Sequence, residues 1–295
     1  MITTNRSLAV TLLVSLALCG CASMPGRLPW QSADRQNSGG ISEVFEQNQS
    51  EAPTNGDKSE GKIKPPALNE LADAGLEPVD QPALARCAKL LALPAEEDAL
   101  ADPTNFGERK RFDDWGRSLK DDPQVIVLHE TVINEQQTVD LFKTPHPEDH
   151  QQGSYHLLIT RDGSRLRIVP DDKRAFGSGM SAFGDATQRT KTGSVGSINN
   201  IALHVSLVSP EDGRDDRAAH SGYTGSQYRN LAGQVLLWQG KYGIPMTRVT
   251  THFAVDRSHS RYDPRSFRWD RFDLHYLEAA RRCDFLQFDN QQAGL

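Results

Sequence analysis

Four consecutive apolar residues, Val125-Ile126-Val127-Leu128, end in His129. A run apolar on both faces reads as a buried central strand. Helical spacing shows first at Leu84, Cys87, Leu90 and Leu91, predicting a helix over 82–93. Beyond the central run the pattern predicts a helix at 135–142 and a strand at 155–160. Arg161-Asp162-Gly163 then forms a turn, and a returning strand covers 165–169. Gly177 to Gly196 is rich in Gly, Ser and Thr and reads as a long surface loop, the kind of segment that carries binding function. Residues 200–208 make another apolar strand. Thr224 can cap a helix whose face is Tyr228, Leu231, Val235 and Trp238, ended by Gly240 and Gly243-Ile244-Pro245. A short β-branched strand leads to His252, and a closing helix covers 272–285. This order predicts an α/β fold: a single domain, residues 81–295, with a central mixed β-sheet flanked by helices.

The front of the chain is different material. Arg6 precedes an apolar-rich stretch of eleven residues, Leu8 to Leu18, too short to span a bilayer as a helix and typical of a secretory signal. Leu18-Cys19-Gly20-Cys21 resembles the lipobox of bacterial lipoproteins, with Gly20 before a lipidated Cys21; Cys19 follows Leu18 and fits less well. The alternative is an ordinary cleaved signal. Ala22, rather than an aspartate, follows Cys21, which points to the inner leaflet of the outer membrane of a Gram-negative bacterium, facing the periplasm. Acyl chains would anchor the protein stably, at about 0.8 kcal/mol per buried methylene. Between Gln31 and Pro66 the large apolar residues are Ile41, Val44, Phe45 and Ile63 alone. Residues 22–80 therefore read as a disordered tether, with a reach on the order of 40 Å.

Charge follows the same division. Residues 22–80 hold ten acids and five bases, net −5. Residues 1–21 hold +1, so the whole-chain −6 leaves −2 for residues 81–295. A near-neutral domain gives no electrostatic case for nucleic acid.

Candidate chemistry lies at strand ends. His129 and His252 each end a strand, and Asp263 returns before Pro264 after a polar loop. Two histidines and one carboxylate suit a catalytic zinc with its fourth position open. A single histidine at a strand end is more often structural, and spacing alone leaves both readings open. His259, inside the loop, is a rival third ligand.

The ordered pieces VIVLHET, SYHLLITRDG, VPDDKRAFGSGMSAFG, NNIALHVSLVSP, YTGSQYRNL and THFAVDRSHSRYDPRSFRW cover roughly Val125 to Trp269. Together they resemble the type-2 N-acetylmuramoyl-L-alanine amidases, which include amidase-type phage lysozymes and the animal peptidoglycan recognition proteins. The resemblance implies Zn²⁺ held by His129, His252 and Asp263, and hydrolysis of the amide between N-acetylmuramic acid and L-alanine in peptidoglycan or muropeptides. It places Tyr155 beside the metal and Arg261 where the family carries a charge-stabilising lysine. The chain also departs from the family. His204 stands where many relatives have a glutamate, and is read as a base, a group approaching the metal, or an inert residue. Gly177 stands where many carry a histidine. His156, next to Tyr155, reads as structural.

Cys87 and Cys283 are the cysteines left in the domain. In an oxidising periplasm they are expected to pair and staple the leading helix to the closing one; two free buried thiols are the alternative. A monomer is expected. Two readings compete with the amidase. A peptidoglycan-binding protein without catalysis would keep the groove and leave the amide intact. A secreted wall-degrading toxin would not keep a lipid anchor.

Overall fold

The computed structural model describes residues 78–215 and 217–283. The leader, Cys21, nearly all of the tether and positions 284–285 of the expected closing helix lie outside the described residues. The strands are β1 (Glu96–Asp98), β2 (Phe106–Glu108), β3 (Val125–Glu130), β4 (Leu157–Ile159), β5 (Arg165–Arg167), β6 (Lys173–Ala175), β7 (Ala202–Leu207) and β8 (Val249–Thr251). The helices are α1 (Gln81–Leu91), α2 (Glu135–Lys143), α3 (Gly225–Tyr242), α4 (His252–Val255) and α5 (Trp269–Arg282).

Six strands form one mixed sheet in the order β1-β5-β4-β7-β3-β8, and β2 and β6 pair separately. β3 runs parallel to both neighbours, β7 and β8. β4 is parallel to β7 and antiparallel to β5, its hairpin partner. Gly163 supplies the positive φ, +99°, that the connecting turn needs.

The two faces of the central strands divide by alternation. Ile126 and Leu128 of β3 join Leu203, Val205 and Leu207 of β7 in the larger core, packed on α3 and α5. Val125 and Val127 pack on the opposite side with Ile198, Ile201 and Val255. The period of two then places His129 and His204 on that second face, away from the three long helices. Helix starts follow local chemistry. Thr224 and Gln227 form a reciprocal capping box on α3, Asn134 and Gln137 do the same on α2, and Asp80 caps α1.

Several predicted elements are shorter than the pattern suggested. The strand foreseen over 155–160 keeps only Leu157–Ile159, leaving Tyr155 and His156 in the approach to it. β1 was not foreseen: all three of its residues are acidic and exposed, so they carry no apolar alternation.

Cys87 on α1 and Cys283 just after α5 are joined by a disulfide across 196 residues of sequence. Both lie in the larger core. Cross-linking so long a loop restricts the unfolded chain strongly, so replacing both cysteines by serine is expected to cost about 2–5 kcal/mol. A shift in the urea midpoint reads it, and an unchanged midpoint would leave the bridge without a stabilising role.

Candidate metal centre and cleft

His129 is the fifth residue of β3, fully buried, on the face opposite the helices. β8 runs beside it and ends at Thr251, whose side chain caps the short α4. His252 is the first residue of that helix and enters the same space. Asp263 closes the group from the following loop, where the main-chain N–H of Phe253 donates to its carbonyl at 3.0 Å. One carboxylate oxygen lies 3.2 Å from His129 Nδ1 and the other 2.9 Å from His252 Nδ1. Potential ligand atoms of the three residues lie within 4.8 Å of one another.

The protonation states suit metal binding. Burial pulls the His129 imidazolium down to about 4, leaving the ring neutral. Burial would raise the Asp263 carboxyl, but the charge of His252 and hydrogen bonds from both histidines hold it well below the usual range. The donor set is therefore two imidazoles and a carboxylate. His252 Nε2 is buried without a hydrogen-bond partner. Nitrogen and oxygen donors meeting at one buried point fit a divalent ion such as zinc.

The loop that delivers Asp263 is built around Asp256. Its carboxylate accepts from the N–H groups of Ser258, Ser260 and Arg261 and from the Ser258 hydroxyl, at 2.6–2.9 Å. Aspartate followed by alternating serines is an Asx-turn signal, legible in the sequence but not used there. His259 lies on the outside of this loop, exposed, with φ +56°, and is not among the grouped ligands.

A second anchor lies behind the site. Glu130 follows His129 and so points to the opposite face. Its carboxylate accepts from Arg265 Nε at 2.6 Å and from the Arg265 main-chain N–H at 3.2 Å. It also contacts His220 Nε2 at 2.9 Å and accepts from Tyr223 at 3.1 Å and Ser209 at 3.2 Å. Arg265 also donates to the carbonyls of Gly213, Asp215 and Arg217. Both side chains are fully buried. Sequence reasoning missed this pair, because nothing local links positions 130 and 265.

A cleft of about 610 Å³ opens over the centre. Tyr155, His252, Arg261 and Asp263 line it, together with Arg174 and residues of the 177–200 loop. The Tyr155 ring lies 4.6 Å from the His129 ring and edge-on to Phe142 at 5.4 Å. Burial, then the charge of Asp263, pushes its phenol well above the ordinary range, so it stays protonated. His204 is not in the cleft: it lies behind His129, with its Nδ1 2.9 Å from His129 Nε2. His156 is tied to the frame, its Nδ1 accepting from the His204 N–H and its Nε2 lying 3.1 Å from the Lys173 carbonyl.

The sequence profile of the family described as N-acetylmuramoyl-L-alanine amidase matches residues 119–266, a stretch that contains every residue of this centre. The 1,6-anhydro-N-acetylmuramyl-L-alanine amidase AmpD of Citrobacter freundii is 30% identical over 123 residues, 42% of this chain and 57% of that protein. The AmpD of Salmonella typhimurium strain SL1344 is 32% identical over 126 residues, with the same coverage. The chain thus spans a little over half the length of the curated relatives it matches. Among solved structures, an AmpD selenomethionine derivative is 21% identical, with a TM-score of 0.43, over 60% of this chain and 92% of its own. The AmpDh3 of Pseudomonas aeruginosa, solved in complex with anhydromuramic pentapeptide, is 19% identical, with a TM-score of 0.37, over 55% of this chain and 58% of its own.

Glu130→Gln removes the counter-charge of a buried guanidinium and is expected to cost about 3–5 kcal/mol. Thermal or urea unfolding measures it. A loss below about 1 kcal/mol, the range of an exposed pair, would show that the pair does not lock the loop.

Proposed function

The chain belongs to the N-acetylmuramoyl-L-alanine amidase family, and from that premise we propose that it hydrolyses the amide bond between N-acetylmuramic acid and L-alanine, using zinc held by His129, His252 and Asp263. The observation that carries this is the convergence of two imidazoles and a carboxylate at the floor of a cleft, within the stretch that matches the family. When bound, zinc supplies a Lewis acid and lowers the pKa of a coordinated water toward about 7.

The side chains around it do the rest. Tyr155 keeps its proton and donates a hydrogen bond into the cleft, where negative charge grows on the amide oxygen. Arg261 lines the same wall and adds a permanent positive charge. Its planar, forked head spreads that charge more widely than a lysine ammonium would. Peptidoglycan or a soluble muropeptide is the proposed substrate class. The names of the curated relatives put 1,6-anhydro-N-acetylmuramyl compounds in the set to be tried.

One observation favours the second reading, a peptidoglycan-binding protein without catalysis. His204, a candidate base, does not line the cleft. The two readings part on one experiment. The purified protein is mixed with a disaccharide-tetrapeptide, with and without a chelator, and the products are weighed by mass spectrometry. Cleavage between muramic acid and L-alanine is expected, to be abolished by chelation and in His129→Ala and His252→Ala. Tyr155→Phe should turn over at least tenfold more slowly while still holding zinc. Full activity without metal would refute the zinc assignment. An intact but bound substrate would establish the recognition reading.

The proposal includes a place in the cell: anchorage through Cys21, in the periplasm, on the inner leaflet of the outer membrane. The lipobox-like sequence supports it, as does the disulfide, since such bridges persist in oxidising compartments. Cys21→Ala should move the protein from the membrane fraction to the soluble one. Continued partition with membranes would remove the anchor from the proposal.

A further inference from the structure

Gly177 and His204, two positions where the sequence departs from the family pattern, meet in space. His204 lies on β7, two residues before Ser206, the partner of His129 across the β3–β7 pair. Its ring is fully buried beneath the metal centre, with its centroid 5.1 Å from that of His129. Its Nδ1 is 2.9 Å from His129 Nε2. The other nitrogen of His129, Nδ1, is the one turned to Asp263. If Nδ1 holds a metal, the ring proton sits on Nε2 and can only be given to His204. Ligating histidines ordinarily give that proton to a carboxylate, a carbonyl or water, which fixes tautomer and aim. In this chain an imidazole takes that part.

The acceptor is itself held from several sides. The His204 main-chain N–H donates to His156 Nδ1, and its carbonyl accepts from the His156 N–H, both at 2.9 Å. The two rings stack at 5.8 Å with an interplanar angle of 13°. The remaining side is closed by Gly177. A Cβ there would fall 2.6 Å from both Cγ and Nδ1 of His204, closer than real contacts allow. Gly177 is not among the residues with positive φ, so its backbone does not call for glycine. The constraint is the volume that the His204 ring occupies.

We infer that His204 is a positioning residue, which fixes the tautomer and direction of the ligand His129, and that Gly177 is the space required for it. The two departures are one device. This rests on the metal reading of His129, His252 and Asp263. It goes beyond that reading in assigning both residues to metal affinity rather than to proton transfer from the cleft.

The test is zinc affinity of the full chain, measured by competition with a chromophoric chelator, alongside the visible spectrum of the cobalt-substituted protein. His204→Leu removes the acceptor and is expected to weaken zinc binding 10–100-fold. His204→Asn keeps an acceptor oxygen near the position of Nδ1 and should stay within a few-fold of the parent. Gly177→Ala should weaken binding by a similar factor in the parent, shift the cobalt bands, and have no further effect on a His204→Ala background, where no Cγ is left for the new methyl to meet. Unchanged affinity in both His204→Leu and Gly177→Ala would overturn the inference. Equal losses from Gly177→Ala on both backgrounds would overturn the coupling. Should His204→Leu not fold, Gly177→Ala and His204→Asn, compared by melting temperature as well as affinity, still decide. Retention of zinc by His129→Ala would instead remove the metal reading beneath the inference, an outcome separate from these.

Discussion

The buried ion pair between Glu130 and Arg265 joins the two segments that must meet for the centre to exist. Glu130 is the neighbour of His129, and Arg265 stands two residues after Asp263. A strand alternates its side chains, so the residue beside a ligand is well placed to hold something on the opposite face. Arg265 takes that hold and extends it to the carbonyls of Gly213, Asp215 and Arg217. Burying two charges is costly, and a well-packed apolar pair would serve stability as well. What the ion pair adds is direction: it fixes where the Asp263 loop leaves the sheet.

Around that lock, rigidity falls off in steps toward the cleft. His129 stands on a strand paired on both sides, and His252 begins a capped helical turn. Asp263 comes from a loop that depends on the carboxylate of Asp256 for its shape. The open wall, residues 177–200, is joined to the frame by isolated bridges such as Ser181 with Asp256. A centre built in this order sets its three grouped side chains on regular elements and a turn, and leaves its rim to a long loop, the kind of segment that carries binding function.

How much of this could be read from the sequence depended on how local each cause is. The helices were legible because capping and 3.6-residue periodicity act within a few positions, as at Thr224 and Gln227. β3 and β7 were legible because a strand buried on both faces is apolar throughout. His129, His252 and Asp263 stood out because they ended such runs or preceded a proline. β1 left no signal: Glu96, Glu97 and Asp98 pair with β5 through their backbones and stay exposed. The extra length assigned to the strand before Ile159 came from reading Tyr155 and His156 as strand residues, although hydrogen bonds to β7 and Lys173 already hold His156. Glu130 and Arg265 carry no local sign of being buried, since burial of a charge is decided by its partner and the partner is 135 residues away. The same holds for Gly177, whose meaning depends on a ring 27 positions further along.

An imidazole rather than a carboxylate beside His129 Nε2 sets the electrostatics of the centre in a definite direction. A carboxylate that accepts the Nε2 proton adds negative charge near the ion and makes the ligand a stronger donor. An imidazole orients the ligand equally well but adds no charge. The protein charge nearest a divalent ion is then the single carboxylate of Asp263, with the positive Arg261 on the cleft wall. Fewer compensating charges leave more of the ion's field directed into the cleft, where an amide oxygen would gain negative charge. For a metal held by these three residues, tight binding would then come from geometry more than from charge, which is why the space left by Gly177 matters as much as the hydrogen bond it protects.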